Sequence, residues 1–259
     1  MSKKKIIIGN WKMNPSSLDE AKRIFAKTRA ASNKFSIVEV VACPPAVYIS
    51  NFFKKIGENM SLGSQDVSYE EGGSHTGEIS VSMLKDLDVN YVIVGHSERR
   101  AKGEDEISIK KKIKMVLDVG MKAVVCFGEK ERDENGLYLD NLKDQMKKVL
   151  EGLDTNHPEN IIIVYEPIWA IGASEAMRPD DIYETSIFLR KVFSDIFGQE
   201  LSMKIKILYG GAVNSRNAYD ILSVGKVDGF LVGRESVNIA GFTELIKVVG
   251  EFGLSHNNS

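Results

Sequence analysis

The sequence is poor in the features that mark several large classes of protein. It holds two cysteines, Cys43 and Cys126, in 259 residues, which argues against a disulfide framework and favours a reducing cytosol. No CxxC motif and no His/Cys cluster occurs, so a structural zinc site has no support. The 34 basic and 36 acidic residues nearly cancel, and a net charge of -2 favours neither a nucleic-acid nor a membrane-surface partner.

Long apolar runs are missing as well. Lys3, Lys4 and Lys5 precede an apolar run that is too short for a signal sequence or a membrane span. A length of 259 residues with 43% hydrophobic residues is enough for one large domain with its own core. We therefore expect a cytoplasmic protein with a single domain over residues 1–254 and a polar, disordered tail over residues 255–259.

What the chain does contain is an alternation of strand-like and helix-like patterns. The predicted strands are Lys5–Asn10, Ile37–Cys43, Met60–Gln65, Tyr91–Gly95, Lys122–Phe127, Ile161–Tyr165, Lys204–Tyr209 and Gly229–Val232. The predicted helices are Leu18–Ser32, Ala46–Ile56, Ile79–Leu87, Glu106–Val119, Leu137–Leu153, Asp180–Phe197, Ser215–Leu222 and Phe242–Phe252. Eight such units in about 250 residues predict a (β/α)8 barrel. A doubly wound sheet is the alternative, but the first turn, Gly9–Lys12, carries no GxGxxG motif.

The sixth predicted strand leads into a group that can carry chemistry. Ile161–Tyr165 is apolar throughout, which is typical of a strand buried on both faces of a parallel sheet. Glu166 follows at once and Pro167 ends the strand, so the carboxylate lies at the edge where barrels build active sites. The apolar loop 168–174, with its small-residue tip, fits a lid over a base. The alternative is a plain loop in which Trp169 packs on the barrel and Glu166 caps a helix.

Polar residues also follow the fourth and first predicted strands. His96 precedes Ser97, the predicted N-cap of a helix whose N-terminus would favour a neutral imidazole that donates a hydrogen bond. Asn10 and Lys12 point to the same side if the extended conformation persists between them. Glu98 can pair with Lys12 or with the arginines beside it. For each of these residues an ordinary structural role, such as a satisfied histidine or a solvated lysine, is the alternative.

Glycines follow the last two predicted strands, in Gly210-Gly211-Ala212 and Gly233-Arg234. Backbone N–H groups beside a helix start form an anion site, and barrels bind phosphate after strands seven and eight. Both segments also fit ordinary tight turns. Together, the strand ends predict a base, an electrophile, a cation and an anion cradle at one face of the barrel. The sequence offers no nucleophilic Ser or Cys with a partnering base and no metal cluster.

Seven segments resemble the triosephosphate isomerase family, in the family's order and over nearly the whole chain. They are Gly9–Asn14, Cys43–Pro45, Thr76–Ser80, Tyr91–Arg100, Val124–Glu129, Tyr165–Gly172 and Tyr209–Gly211. The resemblance implies a single-domain TIM barrel of the α/β class. It also implies the interconversion of dihydroxyacetone phosphate and D-glyceraldehyde 3-phosphate in glycolysis and gluconeogenesis, with no cofactor and no metal.

The resemblance assigns a role to each candidate residue. Glu166 resembles the family's base and His96 its neutral electrophile, a familiar case of pKa tuning. Lys12 resembles the charge-stabilising cation, Asn10 the residue that places the substrate oxygens, and Glu98 the acid that orients Lys12. The implied phosphate-binding positions are Gly172, Gly210, Gly211, Ala212, Gly233 and Arg234. The implied lid positions are Pro167, Ile168, Trp169, Ala173, Ser174 and Glu175.

The segment Gly63–Ser80 is long for a barrel loop and shows no periodicity. In the family, the similar loop crosses into the neighbouring subunit. The resemblance therefore implies a homodimer in which His75 and Thr76 lie beside the partner's Lys12. A mobile surface loop is the alternative that composition alone favours.

Three positions depart from the family pattern. The lid tip reads Gly172–Glu175, Gly-Ala-Ser-Glu, where Gly-Thr-Gly-Lys is usual. Ala212 stands at a usual Ser, and Arg234 at a usual second Gly. Because these changes lie at the phosphate end, two alternatives stay open. One is an isomerase of another small sugar phosphate, such as a phosphotetrulose, and the other is a phosphometabolite-binding barrel with little turnover.

Overall fold

Parallel strands close into a barrel in chain order, because β1 is hydrogen-bonded to β8 as well as to β2. The computed structural model describes residues 4–133, 135–153, 155–170 and 176–256. The strands are β1 (Lys5–Asn10), β2 (Val38–Cys43), β3 (Met60–Ser64), β4 (Val89–Val94), β5 (Lys122–Phe127), β6 (Ile161–Tyr165), β7 (Lys206–Tyr209) and β8 (Gly229–Val232). The predicted (β/α)8 TIM barrel is confirmed.

Helices cover the outside of the barrel between successive strands. They are α1 (Leu18–Ser32), α2 (Ala46–Phe52), α3 (Val81–Asp86), α4 (Ser97–Arg100), α5 (Glu106–Asp118), α6 (Leu137–Leu150), α7 (Pro179–Phe197), α8 (Gln199–Ser202), α9 (Ala218–Ser223) and α10 (Ile239–His256). Single 3-10 turns are formed by Pro158–Asn160, Ile168–Ala170 and Arg234–Val237. The short α4 and α8 were not among the predicted helices.

The strands are apolar on both faces because each face meets a different part of the core. One set of side chains fills the barrel interior: Ile6, Ile8, Val41, Cys43, Tyr91, Ile93, Val124, Cys126, Ile162, Val164, Leu208 and Leu231. The alternate side chains, such as Ile7, Val92 and Ile163, pack against the helix layer. Both cysteines are buried free thiols.

Four strands, β1, β5, β6 and β8, and helix α1 have the predicted bounds, whereas the other elements differ by up to four residues. At β7, the predicted start at Lys204 is wrong, and the strand begins at Lys206. The N–H groups of Lys204 and Ile205 both donate to the carbonyl of Leu201, at 2.9 and 3.2 Å, in the turn after α8. A local turn thus takes the backbone groups that the apolar pattern assigned to the strand.

The last helix is longer than predicted, and the predicted tail boundary at residue 255 is wrong. Helix α10 begins at Ile239 and runs to His256. The hydroxyl of Ser255 donates to the carbonyl of Phe252 at 2.9 Å, and the ring of His256 stacks on that of Phe252, with centroids 4.1 Å apart. These two contacts stabilise a further turn. Residues 257–259 lie outside the described residues.

The seam between β1 and β8 depends on a residue without a side chain. A Cβ at Gly229 would lie 1.8 Å from the carbonyl oxygen of Ile6, and the backbone φ is +153°. Because the obstacle is the backbone of the neighbouring strand, relief requires that β1 and β8 separate. We expect Gly229→Ala to lower the free energy of unfolding by about 3 kcal/mol, measured by denaturant titration.

Gly120→Ala is the matched control for this seam. Gly120 also has a positive φ, +78°, but its added Cβ meets nothing within 4 Å. The control should therefore show only the cost of a left-handed backbone, about 1–2 kcal/mol. Equal losses in the two variants would show that backbone strain, and not the clash at the seam, sets the effect.

Candidate active site

The carboxyl ends of the strands surround a cavity of about 640 Å³. Because all strands are parallel, the residues that follow them meet at this one end of the barrel. The predicted site residues that line the cavity are Asn10, Lys12, His96, Glu98, Glu166, Gly210, Gly211, Ala212, Gly233 and Arg234. The barrel therefore brings together residues that follow five different strands.

At the centre of the cavity wall, His96 contacts Glu166. His96 Nε2 lies 3.0 Å from Glu166 Oε1, and each residue is only 4% exposed. The backbone N–H of Ser97 donates to the other carboxylate oxygen of Glu166 at 3.3 Å. Glu166 thus also accepts a bond at a helix N-terminus, which is part of the alternative role considered for it.

The N-cap of α4 is His96, and the prediction of Ser97 is wrong. His96 Nδ1 accepts the backbone N–H of Glu98 at 3.2 Å. A ring nitrogen that accepts carries no proton, so the proton of the neutral imidazole lies on Nε2, the ring nitrogen nearest to Glu166. The short helix begins at Ser97, because the imidazole of His96 satisfies a backbone N–H group of its first turn.

Lys12 reaches the cavity by leaving the strand geometry. Strand β1 ends at Asn10, and Lys12 has a left-handed φ of 53°, so the extended conformation does not persist between them. The side-chain oxygen of Asn10 accepts the N–H of Lys12 at 3.0 Å. The amide of Gln65 donates to the carbonyls of Lys12 and Cys43, at 2.8 and 2.9 Å. These side-chain bonds hold an unfavourable backbone conformation in place.

The ammonium group of Lys12 pairs with Glu98 rather than leaving Glu98 to the adjacent arginines. The distance from Nζ to Glu98 Oε1 is 2.8 Å. Partial burial alone would raise the pKa of Glu98, but the hydrogen bond and charge of Lys12 outweigh it and lower that pKa. Glu98 therefore stays ionised and holds the cation at the cavity.

The glycines after β7 and β8 let the backbone approach the catalytic candidates. A Cβ on Gly210 would lie 3.3 Å from that of Glu166, and a Cβ on Gly233 would lie 3.2 Å from Cε of Lys12. On Gly211, it would clash with the hydroxyl of Tyr209 at 2.2 Å. The backbone of these loops therefore forms part of the cavity wall.

Side chains outside the predicted set fix the two glycine loops. Asn217 donates to the carbonyl of Ala212 at 3.0 Å and accepts the N–H of Asn214 at 2.9 Å. The hydroxyl of Ser236 lies 2.7 Å from the carbonyl of Gly233 and 3.1 Å from that of Asn10. Ser236 is fully buried and so ties the loop after β8 to the end of β1.

Arg234 lines the cavity from an exposed position. Its guanidinium group pairs with neither of the nearby carboxylates, Glu235 and Asp228. Asp228 instead faces Arg190 at 3.5 Å, and Glu235 accepts from Asn238. Within the described parts of the chain, no carboxylate lies at ion-pair distance from Arg234.

The predicted lid positions Gly172, Ala173, Ser174 and Glu175 lie outside the described residues, whereas both flanks of that segment are tethered. On one side, the indole N–H of Trp169 donates to Glu129 at 2.9 Å. On the other side, the N–H of Met177 donates to the hydroxyl of Tyr209 at 3.2 Å. Pro167 is buried, and Ile168 starts a 3-10 turn.

Glu129 is the main residue that the sequence prediction missed. It is 2% exposed and accepts from the hydroxyl of Tyr165 at 2.8 Å as well as from Trp169. Burial and the charge of Glu129 raise the pKa of Tyr165, so that hydroxyl remains a donor. Its position in the sequence, two residues past the end of β5, could have marked it as a residue at the carboxyl end of the barrel.

The predicted dimer-loop residues do not line the cavity of their own chain. Residues 71–78 are all exposed, and the ends of the loop are joined by a bond from Ser68 N–H to the carbonyl of Ile79 at 2.8 Å. His75 faces Glu70 at 3.8 Å. Next to Lys12, a second cavity of about 280 Å³ is lined by apolar and polar side chains, including Met13, Ala46, Gln65 and Ile79.

No group of three or more His, Cys, Asp or Glu side chains in the described ranges is arranged to hold a metal ion. Of the helices whose residues are described, none is both long enough and apolar enough to cross a membrane.

Comparisons with known proteins agree with this arrangement. The family model described as triosephosphate isomerase matches residues 5–249. A triosephosphate isomerase of Dehalococcoides mccartyi is 41% identical over 245 residues, which cover 93% of this chain and 96% of that protein. A triosephosphate isomerase of Dictyoglomus turgidum is 37% identical over 251 residues, covering 95% and 99%, respectively. The chain belongs to the triosephosphate isomerase family.

Proposed function

We propose that the protein is a triosephosphate isomerase that interconverts dihydroxyacetone phosphate and D-glyceraldehyde 3-phosphate in glycolysis and gluconeogenesis. The observation that carries this proposal is that Glu166, His96 and Lys12 line one cavity together with the glycine backbone after β7 and β8. A phosphorylated three-carbon substrate has an acidic C–H group and a dianion only a few bonds apart. A cavity with a base at one end and backbone N–H groups at the other matches that molecule.

Glu166 is the proposed base. Without substrate, its carboxylate accepts from Ser97 N–H at 3.3 Å, and its Oε1 lies 3.0 Å from His96 Nε2. A substrate carbonyl oxygen competes for the His96 proton donor and so frees the carboxylate. Glu166 then takes a proton from C1 of dihydroxyacetone phosphate and returns it to C2, while the hydroxyl proton passes from O1 to O2.

His96 and Lys12 stabilise the enediolate between these two proton transfers. The carbon acid is far too weak for a free carboxylate, so charge that develops on the substrate oxygens must meet fixed donors. A neutral imidazole that donates from Nε2 and an ammonium group held by Glu98 at 2.8 Å are such donors. Preorganised groups of this kind contribute several kcal/mol, typically about 3–4 for one donor. Asn10 supports the position of Lys12, because its side chain holds the backbone of that residue.

The substrate phosphate is proposed to bind the backbone of Gly211 and Gly233, with Gly210, Ala212 and Gly172 as neighbouring positions. Gly233 lies against the side chain of Lys12, so the dianion also gains a nearby positive charge. Because the phosphate is remote from the reacting carbons, its binding free energy can be used to close the loop over the base.

The segment from Pro167 to Glu175 is proposed as that lid. Two hydrogen bonds flank its tip: Trp169 donates to Glu129, and Met177 donates to Tyr209. We propose that the residues between these two bonds are the part that closes. Closure would exclude water from the enediolate and limit the loss of phosphate.

A homodimer is proposed from the exposed loop at 71–78 and the second cavity beside Lys12. Met13 and Val47 are 95% and 75% exposed near that cavity, which is unusual for apolar side chains without a partner. In the dimer, His75 and Thr76 of one protomer would enter the cavity of the other and hold Lys12 in place. We also propose a cytoplasmic location, which suits two buried free thiols and a substrate of central metabolism.

The first prediction from the proposed function tests the reaction itself. Wild-type protein should interconvert the two triose phosphates and turn over a phosphotetrulose far more slowly in a coupled assay of one preparation. Glu166→Gln should lower kcat by about 10²- to 10⁴-fold, because the amide cannot accept a proton. Glu251→Gln, at an exposed position in α10, is the control and should keep full activity. Near-normal turnover by Glu166→Gln would remove Glu166 from the mechanism, and equal turnover of tetrulose would contradict the substrate assignment.

The second prediction concerns the phosphate end. Ala212 lacks the hydroxyl donor that is usual in the family, and such a bond to a charged group contributes about 1.5–3 kcal/mol. We expect Ala212→Ser to lower KM by about 10-fold with little change in kcat. Arg234→Gly should leave KM nearly unchanged at moderate salt, because the backbone at that position faces the anion. If Arg234→Ala instead weakens substrate and inorganic-phosphate binding by similar large factors, the guanidinium is the phosphate ligand.

The third prediction concerns assembly. Light scattering should give the mass of two chains for the wild type. Thr76→Arg should shift the protein to one chain and lower kcat by at least about 10-fold, since Lys12 loses the partner's loop. Asn141→Arg adds the same charge to the exposed face of α6 and should change neither value. A monomeric wild type with full activity would overturn the dimer proposal.

A further inference from the structure

The backbone that carries the base is held by the segment just past β5. The N–H of Glu166 donates to the carbonyl of Phe127 at 2.8 Å, and the N–H of Ile168 donates to the carbonyl of Glu129 at 2.9 Å. These bonds continue the β5–β6 ladder past the last strand pair, Phe127 with Tyr165. Wherever residues 127–129 move, the base and the first residues of the lid must follow.

Gly128, in the middle of this segment, lies directly against the base backbone. A Cβ there would be 1.8 Å from the carbonyl oxygen of Glu166. The contact is backbone against backbone, so a displacement of Gly128 is transmitted to Glu166 without a flexible side chain between them.

The other side of Gly128 has lost its strand neighbour. Strand β4 ends at Val94, which pairs with Val125, so the ladder on that side stops three residues before Gly128. The amide of Gln145 takes the vacant place. Its Nε2 donates to the carbonyl of Gly128 at 3.0 Å, and its Oε1 accepts the N–H of Gly128 at 3.3 Å.

Gln145 is itself on a well-fixed element. It lies in α6 between Leu142 and Met146, which are fully buried, and is itself half-buried. A two-point amide bond from a packed helix thus replaces a strand edge at a backbone position that lies directly against the base. Glu129, next along the segment, adds its bonds to Tyr165 and Trp169.

We propose that Gln145 is a positioning residue for the proton transfer, which acts on Glu166 through the backbone of Gly128. This inference rests on the proposed isomerase function. It predicts a defect in the chemical step and not in phosphate binding, because the contacts of Gln145 lie on the base side of the cavity. General bases tolerate little displacement, and an error of about 1 Å can cost about 100-fold in rate.

The test is steady-state kinetics of Gln145→Met, which keeps the length and helix propensity of the side chain but removes both bonds. We expect kcat to fall about 10-fold, with KM and inhibition by inorganic phosphate within about 2-fold of wild type. Lys143→Met, at an exposed position of the same helix, is the matched control and should retain wild-type kinetics. Gln145→Glu is the second variant, in case the first does not fold. It keeps the acceptor for the Gly128 N–H but places a negative oxygen against the Gly128 carbonyl, and kcat should fall again.

A double-variant comparison separates positioning of the base from general loosening. In a Glu166→Gln background, adding Gln145→Met should lower kcat by less than about 2-fold, because there is no base left to misplace. A full further 10-fold loss would overturn the proposal, as would folded Gln145 variants with lower melting temperatures but wild-type kcat. A rise in KM at unchanged kcat would also overturn it. The wild-type protein distinguishes a failure of the proposed function from a failure of this inference. If the wild type turns over triose phosphates and the Gln145 variants have the same kcat, only the role of Gln145 is refuted. Absence of wild-type turnover refutes the proposed function and, with it, this role.

Discussion

The close approach of His96 to Glu166 constrains the rest of the site. The two residues follow β4 and β6, with only β5 between them, so their backbones are about 10 Å apart. Both side chains turn inward over the barrel end and meet at 3.0 Å. A carboxylate buried to this degree needs polar partners; the Ser97 N–H donates to it, and the imidazole lies beside it. Both partners are thereby held beside the space where a substrate carbon can be placed.

Past the last ladder bonds, the strand ends share one structural problem. Backbone groups that no longer have a strand neighbour are buried around the cavity and require other partners. Side-chain amides and a hydroxyl provide them: Gln65 for Lys12 and Cys43, Gln145 for Gly128, Asn217 for Ala212, and Ser236 for Gly233 and Asn10. The irregular backbone that forms the site is therefore fixed by residues that do not themselves line its catalytic side.

A charged group of the site, the ammonium of Lys12, is also held in place by neighbouring side chains. Lys12 lies against Gly233 in the loop after β8, and its position depends on Glu98 and on a strained backbone held by Asn10 and Gln65. An anion that enters the cavity meets a cation whose direction is already set. The reorganisation required on binding is small, which is what electrostatic stabilisation of an enediolate demands.

The sequence by itself determined the architecture and the composition of the site. Apolar runs of strand length alternate with amphipathic helices, and the periods of these patterns are local properties that one chain segment carries alone. Since parallel strands must align their carboxyl ends, Glu166, His96 and Lys12 had to lie at one end of the barrel. The roles given to these residues, and those of Gly172, His75 and Thr76, stay predictions.

Only the tertiary structure decided which hydrogen-bonding groups become partners. The left-handed turn at Lys12, the capping of α4 by His96, and the partners of Glu129 and Gln145 all join segments that are distant along the chain or depart from periodic geometry. The extra turn of α10 and the late start of β7 depend instead on local contacts between residues three or four positions apart. A side-chain amide that binds a backbone 17 residues away leaves no pattern in the sequence. Its partner exists only after the barrel has closed and left that backbone without a strand neighbour.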